Sequence, residues 1–194
     1  KGLIEGVKDV EHIGHVLKNV YGKSAKETGK LLKGIGKDFD AVGKVLKNTF
    51  KQSAKDSAKT LKALGADTNK IAKNLQKTYK QTASQAAKTL SDTGQSVERI
   101  GGALKGVYKQ SGTQAAKIFK GLGKDSKAVT KTLRKTFKMS AKSVSSTMKS
   151  VYKLGKKDLE KALKGAGYAG KEVSKAVGSA YKSVKKSAKK LFKF

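Results

Sequence analysis

The chain has 194 residues, of which 45 are basic and 14 acidic, so its formal net charge at pH 7 is +31. It contains no cysteine, which excludes a disulfide framework, a thiolate metal site and a cysteine nucleophile. It also contains no proline, so no position imposes a helix break. No apolar run of about 18 residues occurs, and we expect neither a transmembrane helix nor a secretory signal. Because like charges oppose compaction, we expect the free protein to be partly disordered or marginally helical.

A repeat of 29 residues runs through most of the sequence. Such a unit fits about eight turns of α-helix at roughly 3.6 residues per turn, so each repeat returns its apolar stripe to the same side of the helix. The pattern predicts an all-α fold of amphipathic helical repeats. Aromatic side chains occupy one position of the repeat and glycines another: Tyr21, Phe50, Tyr79, Tyr108 and Phe137, and Gly36, Gly65, Gly94 and Gly123.

The repeat divides the chain into four predicted segments. Residues 1–8 form an N-terminal extension, and residues 9–157 form the helical array, with units that start near residues 9, 38, 67, 96 and 125. Residues 158–170 are rich in glycine and are predicted to be a hinge region. Residues 171–194 carry apolar residues at helical spacing among lysines, which predicts a basic amphipathic C-terminal helix.

Adjacent units meet at a Gly-x-Asp joint, as at Gly36 and Asp38. Glycine tolerates the left-handed conformation that ends a helix, and aspartate caps the helix that follows. We expect extended, jointed helices, because a hairpin would not need to keep helical phase across its turn. An insertion of about four residues before Asp158, close to one helical turn, supports this expectation. The alternative is an antiparallel bundle or solenoid, in which each joint is a tight turn.

In an extended helix the apolar stripe has to be buried against an external support. We therefore predict an apolar docking face flanked by basic contact residues. The docking residues are Leu17, Tyr21, Leu46, Phe50, Leu75, Tyr79, Leu104, Tyr108, Leu133 and Phe137. The basic contact residues are Lys51, Lys55, Lys59, Lys62, Lys109, Lys117, Lys120, Lys185, Lys186, Lys189 and Lys190.

No motif indicates catalysis. His12 and His15 are the two histidines, too few ligands for a metal site, and His15 stands where other units have lysine. Gly22-Lys23-Ser24 resembles the end of a phosphate-binding loop, but Leu17 replaces the first glycine that such a loop requires. We predict a protein that is not an enzyme and has no catalytic residue, cofactor or metal.

The charge predicts an anionic partner, since ordinary solvated helices mix both signs of charge. The pattern from Asp9 to about Val151 resembles synuclein-like and perilipin-like lipid-coating helices, although it lacks their eleven-residue unit. We expect a structural or scaffold protein, of the spacer or tape-measure type found in virions. It would lie in many copies along an anionic membrane surface, the inner face of a protein shell, or both. The alternatives are a peripheral lipid-coating protein and a protein that condenses nucleic acid without sequence specificity.

Overall fold

The computed structural model describes the backbone of residues 9–191 and the side chains of residues 9–182. This part of the chain contains twelve helices and no strand, which confirms the predicted all-α fold. In chain order the helices are α1 (Val10–Asn19), α2 (Ala25–Gly34), α3 (Phe39–Asn48), α4 (Ala54–Ala63), α5 (Thr68–Lys77), α6 (Ala83–Asp92), α7 (Val97–Gly106), α8 (Gly112–Gly121), α9 (Ser126–Lys135), α10 (Ala141–Tyr152), α11 (Lys156–Ala166) and α12 (Gly170–Leu191). The helices α1, α3, α5, α7 and α9 start at 29-residue intervals, so the repeat is visible in the backbone.

Each repeat contains two short helices rather than one long helix. The second break follows the aromatic residue of the repeat, where Lys51, Lys80 and Lys109 adopt the left-handed conformation with φ of 53° to 55°. Gly22 occupies the same position in the first repeat, with φ of 61°. A serine or threonine two residues later caps the next helix, as when the Ser53 side chain accepts a hydrogen bond from Asp56 N.

The predicted Gly-x-Asp joints are tight turns in the structure. At Gly65, with φ of 87°, Ala66 N donates to Leu61 O and Gly65 N donates to Lys62 O, which is the hydrogen-bond pair of a Schellman motif. Asp67 then caps α5 by accepting from Lys70 N. Helices therefore end at both joints of each repeat, and the expected helix running through the joint is not what the structure has.

The chain forms two compact units. The first comprises the residues up to Gln95 together with Gly106–Tyr108, and the second comprises Ser96–Lys105 and the residues from Lys109 onward.

In the first unit, helices one repeat apart pack side by side: α1 on α3, α3 on α5, α2 on α4, and α4 on α6. In the second unit α8 packs on α10, α10 on α12, and α9 on α11. Within each unit the odd-numbered and even-numbered helices thus form two layers, as in the solenoid alternative.

Each unit buries its own apolar side chains between these layers. Close packing also requires small residues, since a Cβ atom at Gly43 of α3 would lie 1.7 Å from Asn74 Nδ2 of α5. The largest fully buried side chains are Leu32, Leu46, Leu61, Ile71, Leu75 and Leu90 in the first unit, and Ile100, Leu104, Phe119, Leu133, Met148 and Leu159 in the second.

In the C-terminal part the predicted hinge region differs from the structure, whereas a helix, α12, does cover the described residues from Gly170 to Leu191. The range 158–170, predicted to be a hinge region, is mostly helical because α11 extends over Lys156–Ala166. Gly167, with φ of 94°, ends α11, and α12 begins at Gly170. The predicted extension at residues 1–8 lies outside the described residues.

Candidate anion-binding surface

Several acidic side chains cap the first turn of the helix that follows them. Asp38, Asp67 and Asp125 each accept a hydrogen bond from a backbone N–H in the first turn of α3, α5 and α9. The hydrogen bond from Lys70 N lowers the pKa of Asp67 below its usual range. Likewise, hydrogen bonds from the side chain and backbone of Ser24 lower the pKa of Glu27.

Few lysines are paired with a carboxylate as a result. Among the described side chains only three ion pairs occur, and all of them are largely exposed: Lys70–Asp67, Lys77–Asp40 and Lys88–Asp92. The positive charge of the remaining lysines is therefore not neutralised by the described part of the chain.

The predicted basic contact residues that the structure describes are all exposed. Lys55, Lys59 and Lys62 lie on α4, and Lys117 and Lys120 lie on α8. Lys51 and Lys109 occupy the left-handed turn positions. Lys185, Lys186, Lys189 and Lys190 belong to α12, but their side chains lie outside the described residues.

Two of these lysines also have partners inside their own unit. Lys62 Nζ donates to Thr93 O at 2.8 Å, and Lys120 Nζ lies 5.2 Å from the centroid of the Tyr152 ring. Lys51, Lys55 and Lys59 of the first unit are exposed and form no ion pair with a described carboxylate, so they are the better candidates for contact with an anion.

Another repeat position, which holds four basic residues and one glutamine, joins each repeat to the next and was not among the predicted sites. Lys47 Nζ of α3 donates to Thr78 O at the end of α5, at 2.6 Å. A cation at a helix C-terminus also interacts favourably with the helix dipole. Equivalent bonds run from Lys18 to Thr49 O, Gln76 to Val107 O, Lys105 to Thr136 O and Arg134 to Ala166 O. The signal was a repeat position that always keeps a long side chain with an N–H donor.

The predicted apolar docking face is corrected by the structure. Leu46, Leu75 and Leu133 are 0 % exposed and Leu104 is 1 % exposed, because neighbouring helices of the same unit cover them. Leu17, Phe50, Tyr79, Tyr108 and Phe137 are partly buried. Only Tyr21, at 65 %, is well exposed. The leucines of the apolar stripe are therefore buried against other helices of the same unit and not against an external surface.

Tyrosine hydroxyl groups join parts of the chain that lie about one repeat apart in sequence. Tyr79 Oη donates to Gln52 O at 3.0 Å, and Tyr152 Oη donates to Lys124 O at 3.1 Å. Burial raises the pKa of Tyr108 to about 12, and burial together with the nearby Asp125 carboxylate raises the pKa of Tyr152 to about 12. These rings therefore act in packing between repeats.

The first repeat leaves apolar side chains uncovered. Val20 is 72 % exposed, and Leu31 and Ile35 are 45 % and 43 % exposed. Val20 and Tyr21 lie in the turn between α1 and α2, Leu31 lies on α2, and Ile35 directly follows α2. The equivalents of Val20 and Leu31 in the second repeat are Thr49 and Thr60, so this apolar patch belongs to the first repeat.

No cluster of at least three histidine, cysteine, aspartate or glutamate residues that could hold a metal ion occurs among the described residues. His12 and His15 are exposed on α1. Within the same part of the chain, no helix has the length and apolar character needed to cross a membrane.

No protein-family model, curated protein or solved structure matches the chain.

Proposed function

We propose that the protein is a non-enzymatic scaffold that lies along an anionic phospholipid surface and binds it through exposed lysines. The observation that carries this proposal is the unequal use of charge: carboxylates such as Asp67 cap helices, while lysines such as Lys55 and Lys59 stay exposed without a described carboxylate partner. Each basic residue near an anionic leaflet contributes on the order of 1 kcal/mol. A repeated helical surface can add many such weak contacts.

In this proposal the protein contacts the phospholipid surface through charge and does not insert its leucines into the bilayer. The leucines that would enter a bilayer are buried in each unit, as Leu75 and Leu133 illustrate. The protein therefore binds as a packed helical array. Its helices bury their apolar side chains against one another, so a lipid surface is not needed to cover them.

Side-chain chemistry favours lipid over nucleic acid. Arg99 and Arg134 are the two arginines, and Arg134 donates to Ala166 O, so bidentate recognition of phosphates has little support. Proteins that bind single strands stack bases on exposed aromatic rings. Among the described large apolar and aromatic residues, Tyr21 is the one well-exposed ring.

The test is sedimentation with vesicles of phosphatidylcholine alone, vesicles that also contain phosphatidylserine, and duplex DNA at matched ionic strength. We expect binding to the phosphatidylserine vesicles only, with loss of binding at high salt. Replacement of Lys55, Lys59 and Lys117 by glutamine should weaken vesicle binding by up to about 100-fold, at about 1 kcal/mol per lysine. Arginine at the same positions is the matched control and should preserve binding.

Two results would overturn the proposal. Equal binding to neutral vesicles would show that charge is not the cause. Tighter binding to duplex DNA than to phosphatidylserine vesicles would make the protein a nucleic-acid-condensing protein. The narrower hypotheses of a protein shell and a virion stay predictions, and they gain weight if neither vesicles nor DNA bind.

A further inference from the structure

A groove between α10 and α12 combines lysines with small hydroxyl-bearing side chains. It encloses about 500 Å³ and adjoins a hollow of about 350 Å³. All its walls belong to the second unit. The main groove is lined by Lys142, Ser146, Lys149, Ser150, Lys153, Ser179 and Ala180.

The α10 wall is one face of a helix. Lys142, Ser146 and Lys149 are spaced four and three residues apart, which places them along a single stripe of α10, and Lys153 directly follows the last residue of the helix. At about 1.5 Å per residue, α10 is roughly 15 Å long from Lys142 to its end, enough for more than one phosphate group. Positive charge is therefore distributed along the whole groove.

The wall that α12 contributes consists mainly of small residues. Ala180 and Ser179 line the main groove, and Ala176 lines the adjoining hollow next to Lys175. Glu172 also lines that hollow, and its carboxylate accepts a hydrogen bond from Ala169 N at the start of α12. It is the one carboxylate among the lining residues described.

The walls are held in place by contacts between the two helices. Lys149 Nζ donates to Ala180 O at 2.6 Å and lies 4.4 Å from the centroid of the Tyr181 ring. Tyr181 Oη donates to Leu154 O, next to Lys153. The backbone of Lys153 is in the left-handed conformation with φ of 56°. Lys142 and Lys153 are exposed at the two ends of the α10 wall, and the partly buried Lys149 lies between them.

We infer that this groove binds a ligand that carries phosphomonoester groups, such as a phosphorylated inositol. A phosphomonoester has a charge of about −1.5 to −2 at pH 7 and three acceptor oxygens. Ammonium groups offer three donors each, and the serine hydroxyls add neutral polar contacts between them. The inference rests on the proposed binding of an anionic surface and names a ligand for one part of it. The shared chemistry is the phosphomonoester, whether on a lipid headgroup or in a soluble molecule.

The test compares two double variants of the full chain. K142Q/K153Q removes the two exposed lysines of the groove. K26Q/K80Q is the matched control. Lys26 occupies the same repeat position as Lys142, and Lys80, like Lys153, is a left-handed residue that follows a tyrosine. Both variants remove the same charge from exposed positions.

Calorimetric titration with inositol trisphosphate should show that K142Q/K153Q binds at least about tenfold more weakly than the unmodified protein, as expected for lost charge-assisted hydrogen bonds. K26Q/K80Q should change affinity less than about twofold, since its lysines belong to the first unit and do not line the groove. Equal weakening in both variants, or no weakening in K142Q/K153Q, would overturn the inference. Unchanged circular dichroism of both variants controls for folding.

Vesicles separate the two sources of the ligand. A preference for phosphatidylinositol bisphosphate over phosphatidylserine at equal surface charge, lost in K142Q/K153Q, identifies a lipid headgroup. Binding of inositol trisphosphate without that preference identifies a soluble ligand. If phosphatidylserine vesicles still bind but the groove variant changes nothing, only this inference fails. If inositol trisphosphate binds and phosphatidylserine vesicles do not, only the proposed function fails.

Discussion

The left-handed lysines in the middle of each repeat are positions where glycine should stabilise the protein. Lys51, Lys80, Lys109 and Lys138 have φ of 53° to 56°, a conformation that a residue with a Cβ atom rarely adopts. The first repeat has Gly22 at the same position. We therefore predict that replacement of the four lysines by glycine raises the free energy of unfolding.

The expected gain follows from two opposing effects. The left-handed conformation costs a residue with a Cβ atom about 1–2 kcal/mol. Glycine in turn lowers the stability by about 0.4–1 kcal/mol, because it increases the conformational entropy of the unfolded chain. The net gain is about 0.5 kcal/mol per site and about 2 kcal/mol for all four. The backbone bonds of these turns, such as Gln81 N to Leu75 O at 3.0 Å, do not involve the lysine side chain.

Urea denaturation followed by far-ultraviolet circular dichroism measures the effect. Because the substitutions also remove positive charge, the same four positions are replaced by glutamine as a control, which keeps the Cβ atom. The glycine variant should be more stable than the glutamine variant by about 2 kcal/mol. Equal stability of the two variants would refute the conformational reasoning and attribute any gain to reduced repulsion.

Three further predictions concern the core and the contacts between repeats. Leu75→Ala should lower the free energy of unfolding by about 2–5 kcal/mol in urea denaturation, because Leu75 is fully buried; a loss below about 1 kcal/mol would contradict that burial. Lys47→Met should lower the free energy of unfolding by about 1 kcal/mol, because the hydrogen bond to Thr78 O is lost. Lys44→Met, at an exposed position, should change the stability little. Equal effects of the two substitutions would exclude the role of Lys47 in capping α5. Tyr152→Phe should be less stable than the unmodified protein at pH 7, and this difference should shrink from pH 10 to 12. The pKa of Tyr152 is raised to about 12 in the folded protein, so this tyrosine contributes stability that is fully present below pH 10 and is lost as the pH approaches about 12. Denaturation at several pH values measures the difference in stability, and a difference that stays constant from pH 10 to 12 would contradict the prediction.

The sequence predicted the helical repeat and the positions of half of its joints, although tight turns at those joints were the alternative and a continuing helix was the expectation. The 29-residue period and the Gly-x-Asp joints are local signals, and the structure has turns at those joints, as at Gly65 and Asp67. The second turn of each repeat was missed because its left-handed residue is lysine rather than glycine. A capping signal was present, since Ser24 is followed three residues later by Glu27, and the two form a capping box.

The burial of the apolar stripe could not be read from its periodicity. A stripe with helical phase fits a long helix on an external support as well as short helices packed on one another. Which of the two arrangements forms depends on whether the chain reverses direction within the repeat. In the structure it does so at the left-handed turn of Lys51 and its equivalents. The groove between α10 and α12 could not be predicted either, because Lys142 and Ser179 are distant in sequence and meet only through packing of these helices.

The bonds between repeats also bear on how the protein tolerates changes in length. Lys47 reaches a carbonyl 31 positions ahead, and Tyr79 reaches one 27 positions back. Each period thus contacts its immediate neighbours, and loop-closure entropy between contacting residues stays modest. Removal of residues 38–66 would bring equivalent positions together again, so evolution or design can shorten and lengthen this chain in whole periods without building a new core.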